Sequence, residues 1–182
     1  NEYGEVDDGS EYFNVLKKQG VIADPVARKK EIQSILDKMS ASFHGEIYPD
    51  PFLLNEVNFL VENPQGLSAP FHEDFLKLPL EVLTVSMARK QRIFGLVDTS
   101  GNVMPRFLAI ADGVMTEKDK KKICQNYENI LHAKLQDSLF FFKEDTKAPL
   151  DQKRDELKNL IFLKNAGSMQ DKTQRLSLLS DI

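Results

Sequence analysis

The sequence predicts an α/β (α+β) fold, in which helices flank a small mixed or antiparallel sheet with a hairpin and a C-terminal helical extension follows. Three observations carry this prediction. Two Asp-Pro pairs each precede a segment whose apolar residues have helical spacing. Two β-rich segments flank a glycine-containing turn between residues 92 and 111. The longest periodic stretch, residues 117–142, indicates a long helix.

In the first half of the chain, short helices alternate with short extended segments. Asp24-Pro25 and Asp50-Pro51 combine an N-cap residue with proline in the first turn, so each is expected to begin a helix. The predicted elements, in order, are a loop and short helix over 1–20, a strand at 21–23, a helix to about Ser42, a strand at Ile47-Tyr48, a helix through Leu60 and Val61 that stops at Asn63-Pro64, an extended segment at 67–71, and a helix from Pro79 to Ala88.

The strongest β signal is the hairpin over residues 92–111. Its strands are expected at 92–98 and 103–111, and Gly101 can supply a positive φ in the turn between them. The segment 107–111 is apolar on both faces, which predicts a central strand covered on both sides.

The second half of the chain is predicted to be helical. Thr116 is a plausible N-cap for the long helix, and further helices are expected near Pro149 and Ser168. The break at Gly113 is the predicted boundary, which gives an α/β core over 21–113 and a helical extension over 114–182 that leads toward a following domain.

Composition excludes several protein classes. With 41% hydrophobic and 29% charged residues, the chain is neither disordered nor a simple coiled coil. The net charge of −4 does not by itself indicate nucleic-acid binding, although a local basic face can bind phosphate. The single cysteine precludes an intrachain disulfide, and no apolar run reaches the ~18 residues of a membrane span. A protein of a reducing intracellular compartment, without a membrane anchor, is expected.

No catalytic or metal-binding constellation is predicted. Neither the histidines, His44, His72 and His132, nor Cys124 have metal-ligand spacing. On one helix, Cys124 and His132 would lie ~12 Å apart, too far for a catalytic pair.

Basic residues are the more informative candidates. Arg89, Lys90 and Arg92 lie between a predicted helix end and the hairpin. Cations are favourable at a helix C-terminus for structural reasons alone, so a structural role and an anion contact both remain open. Lys134 falls within the predicted apolar stripe of the long helix, where its stem can pack while its amine reaches solvent. Phe140 falls off that stripe and is an interface candidate. The predicted stripe consists of Ile123, Tyr127, Ile130, Leu131, Leu135 and Phe142.

Seven motifs follow one another along the chain: the segments 54–64, 75–83 and 86–94, the turn at Gly101, and the segments 105–108, 133–141 and 167–175. Each motif is weak alone, and their order and spacing together are specific. This series resembles the β subunit of bacterial-type heterotetrameric glycyl-tRNA synthetase. The resemblance covers about Tyr12 to Leu179 and places the chain in an internal segment before that family's HD-like domain.

The chain departs from the family pattern at several positions. Asn63 and Ile93 replace aromatic residues, and a Gly-Asn-Glu-Arg stretch is replaced by the segment 126–129, with Asn126, Tyr127 and Asn129. His132 and Lys134 stand where arginines are expected. Neither side chain has the planar guanidinium that binds a phosphate through two hydrogen bonds, so a tRNA contact by this helix is less expected.

The resemblance implies a non-catalytic segment that supports tRNA binding and assembly of an ATP-dependent glycine–tRNA ligase. Its partners would be the α subunit, or a fused α region, and tRNA(Gly), in a cytoplasmic hetero-oligomer (organellar for a plastid-type homologue). The α subunit would supply glycine activation, so ATP and Mg²⁺ would bind there and no cofactor is expected in this chain. Arg89, Lys90, Arg92, Arg106 and Lys134 are the candidates for a tRNA or anion contact. The alternatives are a structural scaffold without tRNA contact and a hydrolytic editing-type domain.

Overall fold

A computed structural model describes residues 8–180 of the chain. The chain divides into two compact units, residues 1–139 and 140–182. The predicted α/β (α+β) class is confirmed: helices flank a four-stranded antiparallel sheet in the first unit, and a two-stranded sheet accompanies helices in the second.

Three helices precede most of the sheet, and two of them begin where the sequence predicts. The carboxylate of Asp24 accepts hydrogen bonds from the amides of Val26 and Ala27, and Asp50 accepts one from Leu53. These side chains satisfy amides that have no partner within the helix. The helices are α1 (Tyr12–Lys18), α2 (Pro25–Ser42) and α3 (Pro51–Asn58).

The four-stranded sheet has the order β1-β3-β4-β2. Its strands are β1 (Glu46–Ile47), β2 (Pro64–Pro70), β3 (Ile93–Val97) and β4 (Val103–Asp112). The hairpin prediction is confirmed, since β3 pairs with β4 and Gly101 in the turn has φ +83°. The turn is held by Asp98, whose carboxylate accepts hydrogen bonds from the backbone amide and the side chain of Asn102 and from the amide of Ser100, and these bonds lower its pKa.

The sheet is covered on both faces, as the apolar segment 107–111 predicts. Leu108 and Ile110 of β4 share an apolar cluster with residues of α2 and α3. Phe107 points to the opposite face, because successive strand side chains alternate, and its ring lies 6.1 Å from that of Tyr127. Phe107, Leu108 and Ile110 are all buried.

Three short helical segments connect β2 to the hairpin: a 3₁₀ helix (Glu73–Lys77), α4 (Leu80–Thr84) and a π-helical turn (Val85–Arg89). The long helix α5 (Glu117–Thr146) follows, and the hydroxyl of Thr116 accepts a hydrogen bond from the amide of Asp119 at its start, as expected of an N-cap. The second unit continues with α6 (Leu150–Arg154), a 3₁₀ helix (Asp155–Asn159), β5 (Ile161–Leu163), β6 (Gly167–Ser168) and α7 (Met169–Ser180).

The structure differs from the sequence-based prediction at four places. The extension that the sequence predicts to be helical contains a two-stranded sheet, in which β5 pairs with β6. Residues 21–23 form no strand, because the carbonyls of Ile22 and Ala23 accept hydrogen bonds from the guanidinium of Arg28 instead of from a neighbouring strand. Helix α3 ends at Asn58, not beyond Leu60. The compact units divide within α5 rather than at Gly113, since the first half of α5 packs on the sheet.

Candidate functional site

The predicted basic residues do not form one site. Arg89, Lys90 and Arg92 lie at the end of the π-helical turn and just before β3, whereas Arg106 lies within β4. In the hairpin register Arg92 would stand opposite Ile110, four residues from Arg106, which corresponds to ~13 Å along the strand. Lys134 is on α5. Within residues 8–180, three of the five cations, Arg89, Arg92 and Arg106, have side-chain contacts.

Arg92 is fixed by its own fold. Its backbone has φ +54°, a left-handed conformation that a residue with a Cβ rarely adopts. The guanidinium donates to the carboxylate of Glu56 over 2.9 Å and 2.6 Å, and to the carbonyl of Arg89 over 2.7 Å. These contacts tie β3 to α3 and occupy much of the donor capacity that a phosphate would need.

Arg89 and Arg106 each lie over an aromatic ring. The guanidinium carbon of Arg106 is 4.3 Å from the ring centre of Phe43, and one of its nitrogens donates to the hydroxyl of Ser68 over 3.0 Å. Arg89 lies 5.8 Å from the ring centre of Phe52 and remains exposed. Arg106 therefore packs on the α2 side of the sheet as part of the fold.

Lys134 lies outside the buried stripe of α5, where the sequence-based interpretation was wrong. The buried residues of α5 are Leu131, Leu135 and Leu139, and both Lys134 and Ile130 are exposed. Because α5 packs on the sheet face opposite α2, Lys134 and Arg106 lie on opposite sides of the sheet. Lys90 is exposed too, and neither lysine makes an ion pair within residues 8–180.

Phe140 begins the second unit and is 57% exposed. Its ring packs edge-on against that of Phe141, with 5.5 Å between centroids. Across the described part of this unit, residues 140–180, no residue is buried. Its large exposed apolar residues, called the unit 2 apolar surface below, are Phe140, Phe141, Leu150, Leu160, Ile161, Leu163, Leu176, Leu178 and Leu179.

Cys124, His132 and His72 have structural surroundings, and His44 is exposed. The thiol of Cys124 lies 3.6 Å from the carbonyl of Ser68, and burial raises its pKa. A raised pKa disfavours the thiolate that nucleophilic catalysis requires. His132 packs edge-on against Phe75, and His72 accepts a hydrogen bond from a backbone amide at the start of the 3₁₀ helix. Over residues 8–180, no group of three or more His, Cys, Asp or Glu side chains could hold a metal ion.

A cavity of about 670 Å³ opens between α1, the loop before α2 and the start of β2. Lys17, Glu31 and Gln65 contribute its polar side chains, together with Asn14, Asp24 and Asn63. Among the described residues that line it there is no Ser, Thr, Cys or His. The arrangement therefore offers no activated nucleophile of the kind that a hydrolase of the Ser-His or Cys-His type uses.

Sequence reasoning missed the outer face of α3. Phe52 is 71% and Phe59 67% exposed, while Leu53 and Val57 on the opposite face are buried. The seven-residue spacing of the two phenylalanines was the available signal, because residues i and i+7 share one face of a helix. No helix within residues 8–180 is long and apolar enough to span a membrane.

Comparisons with known proteins agree on one family. The family model described as "Glycyl-tRNA synthetase beta subunit" matches residues 1–182. The glycine--tRNA ligase beta subunit of Bacillus subtilis is 38% identical over 176 residues, which are 97% of this chain and 26% of the relative. That of Lawsonia intracellularis is 38% identical over 178 residues, and that of Geobacter sulfurreducens 36% over 176, each covering 97% of this chain and 25% of the relative.

The chain thus spans about a quarter of the length of the curated relatives that it matches. The match of the family model is continuous from the first residue to the last. The chain belongs to the glycyl-tRNA synthetase beta subunit family.

Proposed function

We propose that this chain is a non-catalytic segment of a glycyl-tRNA synthetase β subunit that supports assembly of the enzyme that ligates glycine to tRNA(Gly). The observation that carries the proposal is the unit 2 apolar surface: nine large apolar side chains are exposed within residues 140–180, where no residue is buried. Apolar side chains left exposed in this number, without a core of their own to enter, are typical of protein interfaces.

The energetics of unit 2 support an interface. Its internal contacts are mostly polar or local: Lys172 lies 4.1 Å from the ring centre of Phe162, the hydroxyl of Ser168 accepts from the amide of Asp171, and Lys153 donates to the carbonyl of Asp145. Exposed contacts of this kind each contribute little, whereas burying one Leu, Ile or Phe side chain contributes about 1.5–3 kcal/mol. Covering a few of these side chains would stabilise unit 2 more than its own polar contacts do.

A direct contact with tRNA is the second candidate. Lys90 and Lys134 are exposed and unpaired by carboxylates within residues 8–180, and the first turns of α5 add exposed lysines at 118, 121 and 122. These side chains could neutralise phosphates, whereas Arg92 and Arg106 support the fold. The purely structural alternative, without tRNA contact, differs only in this point.

Catalysis is proposed to reside elsewhere in the enzyme. Glycine activation and transfer would belong to the α subunit or a fused α region, and ATP and Mg²⁺ would bind there. The cytoplasm, or an organelle for a plastid-type homologue, is the proposed compartment. The editing-type hydrolase gains no support from the cavity beside α1, because its described lining residues include no Ser, Thr or Cys that could act as the nucleophile.

The assembly proposal is tested in the full-length β subunit mixed with its α subunit. The double variant Phe140→Ser/Ile161→Ser removes two apolar side chains that are 57% and 83% exposed. We expect assembly, measured by native mass spectrometry over a dilution series, to weaken at least tenfold. Val114→Ser is the matched control, because Val114 is 91% exposed in the other unit. Unchanged assembly of the double variant would contradict the proposal.

The tRNA candidate is tested in the same enzyme by Lys134→Glu. Loss of one phosphate contact should reduce the slope of log affinity against log salt by about 1. Lys38→Glu is the control, since Lys38 is an exposed lysine on α2, on the other side of the sheet. If Lys134→Glu changes neither the slope nor the affinity, the result contradicts a tRNA contact by Lys134 and favours the alternative of a structural scaffold without tRNA contact.

A further inference from the structure

An apolar groove of about 560 Å³ runs between α2 and α3 on the surface of the first unit. Val26 from α2 and Phe59 at the end of α3 are 61% and 67% exposed, and Leu54 lines the groove between the two helices. Phe52, one heptad before Phe59, lies outside the groove and packs beside Arg89 instead.

The groove has a fixed geometry because a buried arginine joins its two walls. Arg28 of α2 is 8% exposed and donates to the carbonyl of Asn58 over 2.8 Å and to that of Ile22 over 2.7 Å. The amide of Asn58 in turn donates to the carbonyl of Pro25 over 3.1 Å. Both Arg28 and Asn58 are buried, so the two helices are held at a set spacing. Binding a ligand would therefore cost little conformational entropy in the groove itself.

The rim of the groove is positively charged. Lys29 and Lys30 line it, and Lys29 reaches the side-chain oxygen of Asn55 at 3.4 Å. Neither lysine makes an ion pair within residues 8–180, and Glu31 lines the cavity on the other side of α2. In a chain with a net charge of −4, this pairing of apolar floor and basic rim complements an apolar ligand with acidic edges.

We propose that the α2–α3 groove binds an amphipathic helix of another part of the assembled enzyme, with apolar residues at i, i+3 or i+4, and i+7 and with Asp or Glu on its flanks. Helices of this pattern lay their apolar face into a hydrophobic groove between two helices. Protein is favoured over RNA because Phe59 is the one aromatic ring among the described residues of the groove, and its other apolar side chains, Pro25, Val26 and Leu54, offer no flat surface on which successive bases could stack. The inference rests on the proposed function, since it requires an assembly, but it uses a surface of the first unit.

The test places the photo-crosslinking residue p-benzoylphenylalanine at Phe59 or, in a second variant, at Val26, in the full-length β subunit assembled with its α subunit and tRNA. Both positions are mostly exposed, so the substitutions leave the core intact. We expect both variants to cross-link the same segment, identified by mass spectrometry as a helix with apolar residues at three- and four-residue spacing and flanking carboxylates.

Charge reversal then tests the complementarity. Lys29→Glu/Lys30→Glu should reduce the cross-link yield roughly tenfold, because two favourable surface pairings become repulsive. Lys17→Glu/Lys18→Glu is the matched control, an adjacent exposed lysine pair on α1, and should leave the yield within about twofold.

A cross-link to RNA, a cross-link to the same groove of a second copy, or the absence of any cross-link would overturn the inference. So would equal yields from the two charge-reversed variants. The proposed function fails by a different result: assembly that survives Phe140→Ser/Ile161→Ser speaks against the role of unit 2 and leaves the cross-link as it was.

Discussion

The packing of α5 on the sheet can be tested by truncating one side chain of its buried stripe. Leu131 is 0% exposed, whereas the neighbouring Ile130 is 46% exposed. Leu131→Ala removes a completely buried side chain and leaves a cavity beneath α5, for which the expected cost is about 2–5 kcal/mol. Ile130→Ala removes a side chain that is already half in solvent, so a loss below about 1 kcal/mol is expected.

The assay is urea unfolding of the 182-residue chain, combined with hydrogen exchange of the β4 segment Phe107–Ile110, which reports on the first unit alone. With a urea dependence of about 1–3 kcal/mol per molar, Leu131→Ala should lower the unfolding midpoint by on the order of 1 M. Exchange in β4 should accelerate in the same variant because these amides open with the whole unit. Equal effects of Leu131→Ala and Ile130→Ala would refute the placement of α5 on the sheet.

The remaining predictions concern single contacts. A double-mutant cycle between Arg92 and Glu56 should give a coupling of about 0.5–1 kcal/mol in unfolding experiments, because both side chains are about two-fifths exposed; zero coupling would show that the pair does not tie β3 to α3. Gly101→Ala should destabilise the hairpin by about 1 kcal/mol, because φ is +83°, a conformation that a residue with a Cβ rarely adopts. No atom of residues 8–180 lies within 4 Å of the added Cβ, so the backbone conformation alone sets this cost, and an unchanged stability would contradict the turn geometry. Alkylation of Cys124 by iodoacetamide should show an apparent pKa above the ordinary thiol value, because burial raises the pKa of this group; a lowered value would indicate an activated thiol.

Local signals in the sequence predicted most of the elements. The two Asp-Pro helix starts, the turn at Gly101 and the cap at Thr116 each depend on residues within a few positions of one another, and the structure contains all of them. The family resemblance was also correct, because it depends on the order of motifs along the chain.

The partners that individual side chains find in the fold could not be predicted in this way. Residues 21–23 are apolar and favour an extended strand. The guanidinium of Arg28 donates hydrogen bonds to the carbonyls of Ile22 and Ala23, so these carbonyls do not pair with a strand. The partner of Arg92 is Glu56, 36 positions away, so its structural use was invisible in the sequence. Lys134 was placed in the stripe because a helical wheel does not define the edge of a buried face to within one position. In the structure Leu139 is buried on that face, whereas Ile130 and Lys134 are exposed.

The central claim is that the unit 2 apolar surface is covered in the assembled enzyme. Hydrogen exchange measured by mass spectrometry on the full-length β subunit, alone and with its α subunit and tRNA, tests this most directly. The account predicts that peptides over 160–179 are strongly protected either within the full-length subunit or on assembly, relative to the 182-residue chain. Equally fast exchange of these peptides in all three samples would contradict it.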